Sequence, residues 1–312
     1  MIRMICIVYL LLISLSSIAK IYSWVDEKGV RHYSSHAKSA DAKEVNVDVP
    51  DSNWQKMDIK IIDIGFDLTD QEHQRIQRDV NTVYQFFDKK LFFDIYKTVP
   101  VSIRIFGSKE DYVNYNLRHQ DLSAQSKSTT VHTLGRYLPK TNEILVYQHK
   151  NRDRTFSTIK HEVSHAITDT LTPFVPSWLN EGVAENMETI GIQKDSLFIG
   201  SHRTNLYNLR RYDSDDKLLA IKDFMSLTSR DWRKQNRNTD YALQIQAGEF
   251  TRMLLSSPTG LNFISRLMHN YKRGDRTIAY YLVDDEYFGG LGTLESKWSL
   301  WVKRKESGQF AL

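Results

Sequence analysis

The chain has 312 residues, a single cysteine, and 42 basic against 38 acidic side chains, for a formal charge of +4. Charges of both signs are interspersed, and the one basic cluster, Lys303-Arg304-Lys305, reads as the solvated end of a terminal helix, so nothing argues for nucleic acid as a partner. Cys6 alone excludes cysteine zinc sites, thiol catalysis and disulfide staples, so the fold must rest on a core, which about 290 residues suffice to bury.

Residues 1–19, MIRMICIVYLLLISLSSIA, carry one positive charge (Arg3), an apolar run from Met4 to Leu15 and a small-x-small ending at Ser17-Ile18-Ala19. That pattern is a secretory signal peptide cleaved before Lys20, and it implies an exported, periplasmic protein. The apolar run is shorter than the ~20 residues a membrane span needs, so cleavage ranks ahead of an uncleaved anchor. No membrane insertion is expected once the signal is gone. In IYSWVDEKGVRHYSS, Tyr22 and Trp24 alternate with polar residues, and Asp26 to Gly29 supply turn chemistry. Residues 20–36 therefore read as a β-hairpin module. Its Tyr-x-Trp-x-Asp-x-x-Gly-x-x-x-Tyr-Ser pattern closely resembles a short module of unknown function found on proteobacterial envelope proteins. That resemblance implies location and no chemistry. Residues 37–53 are small and polar and read as a linker.

The second domain, 54–312, opens with a strand over Ile59 to Phe66. A helix from Asp70 to Leu91 follows, with Ile76, Val80, Val83, Tyr84 and Phe87 on one stripe. A strand over Pro100 to Phe106, a short helix around Tyr112 and two strands within Gly135 to Tyr147 come next. Nearly everything after that reads as helical. Strands first and helices later make the domain α+β.

The segment HEVSH, His161 to His165, lies on a predicted helix from Thr155 to Thr170, where Phe156, Ile159, Val163, Ala166 and Ile167 recur at helical spacing. Chance alone produces such a match in roughly one chain in a hundred of this composition, so the context decides. Residues four apart on a helix stack on one face, so His161 and His165 can share one ion. Glu162, one step round, can reach a water on that ion without being a ligand, which suits a general base. A catalytic zinc site needs a third protein ligand. With fifteen residues between it and His165, Glu181 is offered by the helix PSWLNEGVAENME, with Gly182 beside it to allow close helix packing.

His-Glu-x-x-His followed by Trp-Leu-x-Glu-Gly-x-Ala-Glu resembles the gluzincin metallopeptidases, and the arrangement looks most like the peptidase MA-like family. The resemblance covers Phe156 to Glu188 and implies a zincin-like fold. It implies one Zn²⁺ held by His161, His165 and Glu181, Glu162 as base and proton shuttle, and a peptide or protein as substrate. Tyr241, opening YALQIQAGEFTRMLL, matches a tyrosine often found after the glutamate helix in this family and is a candidate donor to the oxyanion. The plain reading, a helix-start tyrosine packed on the core, is preferred. Glu185, one turn beyond Glu181, is placed to accept the other N–H of a ligating histidine, or else simply faces solvent. The expectation is thus an exported zinc metallopeptidase. Its rivals are a catalytically inactive zincin-fold envelope adaptor and an amidase acting on peptidoglycan peptides.

Overall fold

The computed structural model describes residues 21–25, 31–34, 41–45, 59–93, 101–119, 133–172 and 174–312. The signal segment lies outside them. The chain forms two compact units, 1–54 and 55–312.

In the first unit, β1 (Ile21–Val25) pairs antiparallel with β2 (Arg31–Ser34), and β3 (Lys43–Val45) pairs with the other edge of β1. The stretch read as a linker thus contributes a strand. Its Lys-Glu-Val is too short and too charged to announce itself by alternation.

The second unit begins with β4 (Lys60–Ile64) and α1 (Asp70–Lys89), then β5 (Ser102–Phe106) and α2 (Lys109–His119). The strands β6 (Gly135–Leu138) and β7 (Glu143–Tyr147) precede α3 (Arg152–Leu171) and α4 (Ser177–Met187). The sheet order is β4-β5-β7-β6, with β4, β5 and β7 parallel and β6 antiparallel at the edge. A short hairpin follows, β8 (Ile190–Gln193) and β9 (Ser196–Ile199), and then α5 (Arg203–Ser214), α6 (Ile221–Ser226) and α7 (Ser229–Asn238). The remaining helices are α8 (Ala242–Leu255), α9 (Pro258–Lys272), α10 (Val283–Glu286) and α11 (Gly290–Val302). The strand β10 (Phe310–Ala311) closes a second sheet on β9. The unit is α+β with a mixed sheet and a mostly helical second half. The small sheet β8-β9-β10 is the exception within that mostly helical half.

Local chemistry sets the helix that matters most. Asn151 caps α3 by accepting from the Asp153 N–H at 2.9 Å. Its apolar stripe, Phe156, Ile159, Val163, Ala166 and Ile167, is buried in one continuous core with Ile103, Ile144 and Val146 of the sheet and Val80, Val83 and Phe87 of α1. Arg152, the first residue of α3, grips Glu72 of α1 through two 2.7 Å hydrogen bonds and lies 4.0 Å above the Phe66 ring. Glu72 also completes the capping box of α1 with Thr69. One carboxylate therefore fixes the starts of two helices.

The Arg152 hydrogen bonds, aided by those from Thr69, pull the Glu72 pKa from the ordinary 4.5 to about 2 against a smaller opposing effect of burial. A depressed folded-state value means the pair stabilises the fold in full above the unfolded pKa and loses that contribution as the pH falls from 4.5 toward 2. Glu72→Gln should therefore unfold at lower urea than wild type at about pH 7, and the gap should close in acid. Urea midpoints measured across that pH range check it, and a gap that persists in acid would assign the loss to capping alone.

Candidate metal centre

Helix α3 presents His161 and His165 one turn apart, their ring centroids 4.8 Å apart and nearly perpendicular. Helix α4 returns beside it. Pro176 caps α4 rather than standing inside its first turn, and Trp178, Leu179, Val183 and Met187 form its buried face. The return brings Glu181 Oε2 to 3.7 Å from His161 Nε2 and 3.8 Å from His165 Nε2. The donor atoms of His161, His165 and Glu181 all lie within 4.8 Å of one another.

Those separations test whether the residues fit an ion. At 3.7 and 3.8 Å the three donors converge without hydrogen-bonding one another. Ligands 2.0–2.2 Å from a tetrahedral zinc stand about 3.3–3.5 Å apart, so shifts of a few tenths of an ångström complete the set. Two neutral imidazoles and one carboxylate suit Zn²⁺ in donor type and number. Electrostatics agrees. Burial alone would lower the His161 pKa, yet the neighbouring carboxylates of Glu181, Glu188 and Glu162 hold it well above the usual value. Burial likewise opposes the Glu181 carboxylate, and the two histidines outweigh it and pull its pKa down. The pocket is built for positive charge.

Close helix packing makes the return geometry feasible. A Cβ on Gly182 would stand 2.6 Å from the Ala247 carbonyl oxygen and 2.0 Å from Thr251 Oγ1, both on α8. The backbone carbonyl cannot step aside. Gly182→Ala should cost about 1–3 kcal/mol through overpacking and weaken zinc binding by displacing Glu181. Thermal denaturation and a chelator titration check it, and an unchanged zinc affinity would uncouple the packing from the site.

Glu162 sits under the edge strand. Its Oε2 accepts the Tyr137 backbone N–H at 2.8 Å, and Oε1 has no hydrogen bond among the described residues. Burial raises its pKa, with the two histidines pulling the other way. Gly135 allows this contact. A Cβ there would meet Thr158 Cγ2 at 2.6 Å and Glu162 Cγ at 3.2 Å, so β6 lies directly on the helix that carries the carboxylate.

The support for the histidines differs from expectation. His161 Nδ1 approaches Glu188 Oε1 at 3.3 Å, and Arg154 donates to Glu188 Oε2 at 2.7 Å. Glu188, the C-cap of α4, lies two turns beyond Glu181, a spacing legible in the sequence. Glu185 is buried, not solvent-facing, and its oxygens accept from Gln244 at 2.8 Å and Asn205 at 3.2 Å. It ties α4 to α8 and α5. Although His161, Glu185 and Glu188 also stand within 4.8 Å, both carboxylates are already engaged by these donors, so the group reads as support for the first set. His165 Nδ1 meets Asn180 Oδ1 at 3.1 Å, a partner that sequence spacing did not single out.

Tyr241 is not packed on the core. It caps α8 in a left-handed conformation, φ 62°, and its side chain is 45 % exposed. Ala247, which packs on Gly182, lies six residues further on, about 9 Å along the helix axis.

Among known families, residues 9–53 match the one described as Domain of unknown function (DUF4124). No curated protein matches the chain. No helix among the described residues is long and apolar enough to cross a membrane.

Proposed function

We propose that the chain is an exported, periplasmic zinc-dependent peptidase of gluzincin type and zincin-like fold. The observation that carries the proposal is the convergence of His161, His165 and Glu181 beside a carboxylate, Glu162, that is clamped from one side only. The mixed sheet with an antiparallel edge strand lying on the motif helix supports the fold assignment. The DUF4124 match supports an envelope setting for the first unit.

His161, His165 and Glu181 would hold the ion, which when bound polarises the scissile carbonyl and makes water a nucleophile near neutral pH. The Tyr137 N–H fixes one oxygen of Glu162, leaving the other to take a proton from the attacking water and pass it to the leaving amine. The buried position of Glu162 keeps bulk water from competing for that proton. Glu188 and Asn180 hold the two imidazole rings in one orientation from behind. The resemblance assigns the oxyanion to Tyr241. A donor that acts only in the transition state changes kcat and not KM. Tyr241→Phe should therefore lower kcat at constant KM and zinc content, and an unchanged kcat would leave the residue as a helix cap.

The deciding experiment is zinc stoichiometry of the purified mature protein together with peptide-library digestion. One zinc per chain and cleaved peptides are expected. Zymography on unfolded protein and on cell-wall material separates a peptidase from an amidase of peptidoglycan peptides. Zinc without turnover on any of them would favour an inactive envelope adaptor.

A further inference from the structure

A cavity of about 590 Å³ lies between α8, α11 and the segment 304–310, apart from the zinc ligands. Its volume falls in the range of small-molecule sites. Trp301 and Leu206 give it apolar walls, and Ser256 and Ser307 bring hydroxyls.

The unusual wall residue is Arg252. It is only 2 % exposed, and its one hydrogen bond among the described residues runs from Nη2 to the Gly308 carbonyl at 2.6 Å. No carboxylate oxygen stands within 4.0 Å of its guanidinium among the described residues. Buried cations are ordinarily paired, because taking an unpaired charge out of water is costly. The nearest acid on its helix, Glu249, is turned to Trp301, accepting the indole N–H at 3.0 Å. Burial raises the Glu249 pKa, and the Trp301 indole and the charge of Arg252 offset that only in part. Two more cations line the same space. Arg304 Cζ stands 4.0 Å from the Trp301 ring centroid, and Lys305 follows it, both exposed. The one other acid lining the cavity is Glu306, exposed to solvent.

We propose that this cavity binds a small ligand bearing a carboxylate or phosphate group, with Arg252 as the buried contact and Arg304 and Lys305 as the exposed ones. A guanidinium held by one backbone carbonyl and lying 5.1 Å from the centroid of the Phe310 ring still offers N–H donors in the planar arrangement that oxyanions fit. The indole and Leu206 would cover the apolar part of the ligand. The site is independent of peptide hydrolysis.

Isothermal titration of the mature protein at low salt, with inorganic phosphate and separately with succinate, tests the proposal. One saturable site is expected for at least one probe, and the preferred probe names the oxyanion. Arg252→Gln and Arg304→Gln should each weaken it by about 10-fold or more, the scale of a charge-assisted hydrogen bond. Arg304 is exposed, so its variant remains informative even where Arg252→Gln does not fold. Glu181→Ala should leave the binding intact, which separates this cavity from anion coordination at the zinc. Absence of a saturable site for both probes, affinity unchanged in Arg304→Gln, or loss of binding in Glu181→Ala would each overturn it.

Discussion

Glu162→Gln should load zinc like wild type and lose peptide hydrolysis by ~10²–10⁴-fold or more, the range for removing a positioned general base. The amide preserves the shape of the side chain and can still accept the Tyr137 N–H through its oxygen, so β6 stays seated. The ligands His161, His165 and Glu181 are untouched. What goes is the capacity to take a proton. Single-turnover kinetics with matched zinc content measures this directly. Equal hydrolysis by wild type and variant would sink the peptidase reading.

Glu181→Ala is expected to purify largely free of metal, because two histidines on one helix hold zinc poorly without the carboxylate that the α4 return supplies. Glu188→Ala should keep zinc with an affinity lower by ~10–100-fold, the usual cost of removing the group behind a ligand. It also strips Arg154 of its carboxylate partner, so some loss of stability should accompany the change. Glu185→Ala should act mainly on helix packing, since Gln244 and Asn205 lose their acceptor while the His161 ring keeps its own. A competitive chelator titration ranks the three. Metal retained by Glu181→Ala but lost from Glu188→Ala would move the ligand to Glu188.

The elements that hold the site were legible because they obey simple periods. The stripe from Phe156 to Ile167 and the run Trp178, Leu179, Val183, Met187 mark two helices whose buried faces then bring His161, His165 and Glu181 together. Gly182 announced the close approach through its missing side chain. The hairpin of β8 and β9 escaped notice for a physical reason. Its strands have four residues each, and its turn is Lys194-Asp195, both at positive φ without the glycine that usually signals such a turn. The clamp on Glu162 was illegible in another way. A backbone N–H donates it, and every residue except proline has one, so no residue type at position 137 could have revealed it. Glu188 and Asn180 show a third limit. Helical spacing gives several acids and amides on one face, and only the path of the returning chain selects among them.

The Arg154–Glu188–His161 chain crosses from α3 to the end of α4 and back. Together with the Asn180 contact to His165, it cross-links the two helices through protein groups alone. In a zinc finger the binding free energy orders the polypeptide, so stripping the metal unfolds it. Here that free energy has little ordering left to do, because a core of aromatic and aliphatic side chains already holds both helices. The fold should therefore persist when the proposed ion is removed. On the proposed reading, a chelator should switch hydrolysis off reversibly while the melting curve moves only by the mass-action increment of ligand binding.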